Sequence, residues 1–234
     1  MNEQQRSDVF EAQVINVRDL MRAWDHENRY LNDLIRVGDA VGIAITTKVL
    51  GVLYCALAEA IFSRVIHLPG GLNLTELAEV KNVLKNDGVK PAWKRCIQLA
   101  SAHLVNTAPT TLAPILSTID GLVEKWIVDP SILRNRLAHG QWTIALNAKN
   151  TAVSADLTQQ LATLDCVELA RREEALSTLS KIVEDMVMSP HNALSRDFGK
   201  HITGLIAKLN KMSNWTFAEK MARLKRKPKK KPSI

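Results

Sequence analysis

Apolar residues recur at mixed spacings of three and four near the start of the chain. Val9, Val14, Val17, Leu20, Met21, Trp24, Leu31, Leu34 and Ile35 predict an amphipathic helix over about 7–37. The next segment, 41–66, is apolar nearly all round, as expected of the central helix of a bundle. "HLPGGLN" then breaks the chain, and Asn73 with Glu76 has the spacing of a capping box opening a helix over 74–85. "NDGVKP" breaks it again before a helix over 91–105, with Trp93, Cys96, Ile97 and Ala100 on its inner face. After "NTAPTTLAP" comes a helix over 112–127. Asp129 and Pro130 restart the chain as N-cap and first helical residue, because Asp accepts free amide protons and Pro loses nothing there.

Gly140 ends that short helix, and the period changes. Trp142, Ile144 and Leu146, then Val153, Ala155 and Leu157, alternate with smaller or polar residues across "NAKN", which predicts a β-hairpin. Helical spacing returns over 157–188, and 192–226 reads as one or two further helices. The expected fold is all-α, a helical bundle with one small β-hairpin after the helix that ends at Gly140. The expected division is a helical domain over 1–190, a helical extension over 191–219, and a basic tail over 220–234 whose Lys and Pro cannot build a core.

Composition sharpens this picture. The 46% apolar content of 234 residues can supply a large core. Cys55, Cys96 and Cys166 are odd in number and far apart, which suits reduced core thiols rather than a disulfide framework or zinc site. "MNEQQRSDVF" lacks the basic and then apolar order of a signal peptide, so a cytoplasmic setting is expected. Lys48 and Glu59 interrupt the apolar run 41–62, leaving a core short of the roughly 20 residues that cross a bilayer, so no membrane is expected. The net charge of +7 resides in the tail. Eight basic residues and no acidic one lie from Lys220 onward, leaving 23 basic against 24 acidic residues in the body. "KRKPKKKP" could grip phosphates through Lys225, Arg226, Lys227, Lys229, Lys230 and Lys231, or serve as a solvated tail.

The stretch "DPSILRNRLAHGQW" gathers the chemistry. RNA is cut by its own 2′-hydroxyl when one group removes that proton, another stabilises the phosphorane and another protonates the leaving oxygen. Histidine suits the proton steps, and arginine suits the phosphorane because its planar fork stays charged. Neither role needs a metal, and no Asp, Glu, His or Cys cluster has ligand spacing, so neither metal nor cofactor is expected. Arg134 and His139 lie about 140° apart on an ideal helix, so one helix makes a poor pocket, whereas two copies meeting across a twofold axis would make a composite one. Bare Arg-x4-His spacing arises by chance about 0.4 times in a chain of this composition. A second instance, "RDFGKH" from Arg196 to His201, lacks the Asp-Pro start and the glycine stop and reads as coincidence.

"RNRLAHG" resembles the signature of the HEPN superfamily, an Arg, a polar residue and then His after a short gap. The helical layout and the upstream apolar helix "VLYCALAEAIFSRVIH" are similar too, over about 1–190. The resemblance implies metal-independent RNA cleavage at a dimer interface. In it, Arg134 would hold the scissile phosphate, His139 would act as acid or base, and Asn135 would orient or bond the substrate. It further implies RNA as partner, a homodimer, and a toxin or antiviral-defence role, often under a regulatory partner protein. Some members lack nuclease activity, so a noncatalytic module binding RNA or protein is the alternative. Glu59 is a supporting candidate as a buried partner for Arg134, or else faces a solvated edge. Arg136 would touch RNA or solvate the outer face. Trp142 is expected in the hairpin core rather than as a stacking platform, while Trp215 and Phe217 could pack or stack. His26, His67, His103 and His191 are expected to be structural.

Overall fold

The first helix opens on a reciprocal cap. Asn2 Oδ1 accepts from the Gln5 amide at 2.9 Å, and Gln5 Oε1 accepts from the Asn2 amide at 2.9 Å, so α1 (Glu3–Val37) starts earlier than apolar spacing alone predicts. The computed structural model describes residues 1–234 except 104–108, 129–132, 134, 135, 148, 190–197 and 227–234. Gly38, left-handed at φ 77°, closes α1, and Asp39 accepts from the Gly42 amide at 2.9 Å to open α2 (Ala40–Ile66). The expected Asn73/Glu76 box starts α3 (Leu74–Asp87), followed by α4 (Val89–Ala102) and α5 (Pro109–Val123), which runs into a π-helical turn (Glu124–Val128). Beyond the motif come α6 (Ala155–Thr163), α7 (Cys166–Met188), α8 (Phe198–Ser213) and α9 (Phe217–Arg226).

The chain is mostly helical, and the described residues form no strand. α1 folds back on α2, α2 packs on α7, and α4 and α8 lie against other parts of α7. Their inner faces form the main core, where Leu31, Leu50, Tyr54, Trp93, Leu176 and Leu179 are fully buried. The Phe62 and Trp93 rings meet at 4.6 Å between centroids. All three cysteines are buried, and burial pushes the Cys96 thiol up to about 12.

Four local features differ from the sequence reading. The helix expected over 157–188 is two helices, because Asp165 accepts from the Val167 and Glu168 amides at 2.7 and 2.9 Å and so caps a new start. The alternating stretch gives a single antiparallel bridge, Leu146 to Val153, around a turn in which Asn150 is left-handed at φ 54°. Ala155 and Leu157, expected in its second strand, are already helical. α2 is not buried all round. By length and composition it qualifies as a bilayer span, and only 39% of its most apolar 18-residue window is buried, with Val41 70% and Ile45 48% exposed. Finally, α9 runs to Arg226, so Lys220, Arg223, Lys225 and Arg226 are helical, while 227–234 lie outside the described residues.

Candidate functional site around the Arg-Asn-Arg motif

Two leucines seat the motif. Leu133 and Leu137, one helical turn apart, are buried with Ala145 and Leu161 in a small cluster walled by Val52, Trp142, Leu157 and Leu164. Leu137 presses on α2 where that helix lacks a side chain: a Cβ placed on Gly51 would stand 3.1 Å from Leu137 Cδ1 and 3.4 Å from Leu164 Cδ2. The absent methyl group is what lets the motif approach α2 closely.

The helical turn ends in a Schellman motif. The Gly140 amide donates to the Leu137 carbonyl at 3.2 Å, and the Gln141 amide reaches back to the Arg136 carbonyl at 2.9 Å. This pattern requires a left-handed residue, and Gly140 supplies it at φ 77°. The following chain is tied to the same turn. Trp142 Nε1 donates to the Leu137 carbonyl at 2.9 Å, and Gln141 Oε1 accepts from the Leu146 amide at 2.7 Å. Trp142 is therefore a half-buried packing residue with its polar edge used up, as its expected core role requires.

His139 occupies the C-cap position, exposed, two residues and so about 200° around the helix from buried Leu137. Its imidazole is thus offered to solvent from a turn fixed on both sides. Arg136 is half-buried rather than outward, and its Nε is buried without a hydrogen-bond partner. Arg134 and Asn135 lie outside the described residues. Glu59 is exposed, the solvated-edge arrangement, so the premise of a buried carboxylate demanding a cation does not hold. It sits eight residues along α2 from Gly51, about 12 Å. In the second Arg-x4-His instance, Arg196 lies outside the described residues, and His201 is half-buried in α8.

The cationic candidates divide. Lys225 and Arg226 are exposed on α9, while Lys227, Lys229, Lys230 and Lys231 lie outside the described residues. A residue that sequence reasoning missed fixes α9. Arg171 of α7 donates to the carbonyls of Met212, Ser213 and Trp215 at 2.9, 3.2 and 2.6 Å, capping α8 and holding the link to α9. Thr216 and Glu219 then form the cap that opens α9. Trp215 is 43% exposed, and Phe217 packs on the main core.

A second missed residue is Arg6, only 2% exposed, whose Nη1 and Nη2 donate to the carbonyls of Leu72 and Leu68, each at 2.7 Å. Its position carried a signal. Residues 6, 13, 20, 27 and 34 share the seven-residue register that buries Leu34, so Arg6 falls on the inner stripe of α1. Among the other histidines, His103 Nε2 meets Glu76 at 2.8 Å, His26 lies 3.5 Å from Glu27, and His191 lies outside the described residues. Among the described residues, no three His, Cys, Asp or Glu side chains are grouped so as to share a metal ion. Comparison with family models, curated proteins and solved structures finds no match to this chain.

Proposed function

We propose that this protein is a metal-independent endoribonuclease of HEPN type, cutting RNA by 2′-hydroxyl transesterification. What carries the reading is His139: an exposed imidazole at the end of a turn that two buried leucines and a Schellman motif hold in place. A general acid or base is worth roughly 10² to 10⁴ in rate when so positioned. In this mechanism His139 moves the proton, Arg134 neutralises the phosphorane, and Asn135 holds the substrate. Two copies share one composite site, so one histidine serves as base and its counterpart as acid. The basic face of α9 and the residues beyond it draw in the RNA backbone. The physiological role is that of a cytoplasmic toxin or antiviral-defence effector restrained by a partner protein.

The test is cleavage of end-labelled RNA in excess chelator by the full chain, beside Arg134→Ala, His139→Ala and His201→Ala. The expected products carry 2′,3′-cyclic phosphate, vanish in the first two variants and persist in the third. Cleavage that survives His139→Ala would overturn the assignment. Salt-sensitive RNA binding without cleavage would favour the noncatalytic module, a reading that the exposed cations of α9 support on their own.

A further inference from the structure

A cleft of about 530 Å³ runs along α2, a size typical of sites for small molecules. Its α2 wall extends from Tyr54 to Ile66, about 18 Å, with Ala58, Phe62 and Ile66 in one row and Glu59, Ser63 and His67 in the next. Val9 of α1, Leu84 of α3 and Ile127 of the π-helical turn close the other side. The shape is an elongated apolar trough.

Its polar inventory is short and partly used. The Tyr54 hydroxyl donates to the Trp126 carbonyl, and burial pushes its ionisation far up, so it stays a neutral phenol. Glu59 lies at an exposed edge and has its own interaction. His67 is different. It is 4% exposed, and its Nδ1 lies 2.7 Å from the Ser63 carbonyl. A carbonyl can only accept, so Nδ1 bears the hydrogen and Nε2 is a bare acceptor. That Nε2 is buried without a partner, an arrangement folded proteins seldom leave unfilled. Burial, then Lys81 and Arg6, disfavour protonation of His67, although its bond to Ser63 opposes them. Arg6 is committed to the Leu68 and Leu72 carbonyls, whereas Lys81 itself lines the cleft.

A group that suits this corner must donate to a neutral nitrogen and accept from an ammonium. A hydroxyl does both. A carboxylate would set its lone pairs against that of His67, a quaternary ammonium would meet the charge of Lys81, and a plain alkane would leave Nε2 unpaired. We infer that the cleft binds a long-chain alcohol, its apolar chain along α2 and its hydroxyl donating to His67 Nε2 while accepting from Lys81. None of the described motif residues Leu133, Arg136, Leu137 and His139 lines this cleft, and the inference does not depend on the nuclease reading.

The experiment titrates the full chain with 1-decanol, decanoate and decyltrimethylammonium, which share a chain length and differ in head group. Calorimetry gives affinity and stoichiometry, and tryptophan emission reports occupancy because the Trp93 ring lies against Phe62 of the cleft wall. Decanol should saturate at one per chain and bind at least about tenfold tighter than either charged analogue. His67→Phe should lose roughly tenfold for decanol alone, the worth of one buried hydrogen bond, and His67→Gln, which keeps an acceptor, should regain part of it. Leu84→Trp should fill the trough and abolish binding in a protein whose circular dichroism is unchanged. Decanoate binding as tightly as decanol, undiminished decanol binding by folded His67→Phe, or no saturable binding by the folded parent protein would each overturn the inference.

Discussion

Replacing Gly140 by alanine isolates the contribution of backbone conformation to the motif. No heavy atom lies within 4 Å of the position its new Cβ would take, so no clash enters. The cost is that of holding an L-residue at φ 77°, about 1–2 kcal/mol. Against it stands the stiffer unfolded chain, which favours alanine by about 0.4–1 kcal/mol. The net loss is about 1 kcal/mol, or roughly fivefold in the equilibrium of local opening. Asparagine visits the left-handed region far more readily, so Gly140→Asn should lose less than half as much. Hydrogen exchange of the Gln141 amide reads this directly, since its bond to Arg136 at 2.9 Å exists only while the Schellman motif is closed. Exchange should quicken about fivefold in Gly140→Ala and less in Gly140→Asn, with α7 amides unchanged. An alanine variant exchanging like the parent, or an asparagine variant no better than alanine, would refute the claim that this conformation fixes the turn.

Leu137→Ala should cost about 2–5 kcal/mol by equilibrium urea denaturation, because Leu137 is 3% exposed and packs on Gly51. Arg6→Lys keeps the charge but loses the fork that reaches two carbonyls, so the same measurement should fall by about 1.5–3 kcal/mol. His67 binds its proton less readily folded than at its ordinary value of 6.5, so the unfolded chain takes up more protons below that pH. Stability should therefore decline as pH falls from about 6.5 toward the lowered folded value, and His67→Gln should flatten that decline in a pH series of melting curves. Removing the chain from Lys220 onward would strip out buried Leu224, so the electrostatic test is Lys225→Gln with Arg226→Gln. If α9 grips single-stranded RNA, the slope of log affinity against log salt should shrink by about 1.4, and an unchanged slope would exclude both side chains.

Helices announced themselves wherever local signals and packing agreed. The Asn73 and Glu76 spacing marks a real cap, and Gly140 correctly marked the end of a turn in which it is left-handed, while the start expected at Asp129 and Pro130 lies outside the described residues. Periodicity misled where capping chemistry cut across it: Leu161, Leu164 and Val167 keep helical spacing straight through the break that Asp165 imposes. Alternation misled at Ala155 and Leu157, which suit a helix as well as a strand. The exposed flank of α2 was illegible because composition gives a helix its apolar surface but not the number of neighbours that cover it. Of the candidate site, the exposure of His139 follows from its angle to Leu137, whereas the approach at Gly51 joins residues 86 positions apart and leaves no local trace. His67 was hidden for the same reason, since its cleft is supplied by distant chain, whereas the register of α1 marks Arg6 as inward-facing without showing the Leu68 and Leu72 carbonyls that receive it.

The small cluster under the motif and the main core have one side chain in common among the described residues, Leu164. For evolution this is a partition of risk. Substitutions at Leu133, Ala145 or Leu161 retune how firmly the motif is held, and their effects should add to those in the bundle rather than compound them. A lineage could thus remodel the loop that presents His139 through many mildly harmful steps while the bundle keeps the chain folded. Leu164 is the position where that freedom ends.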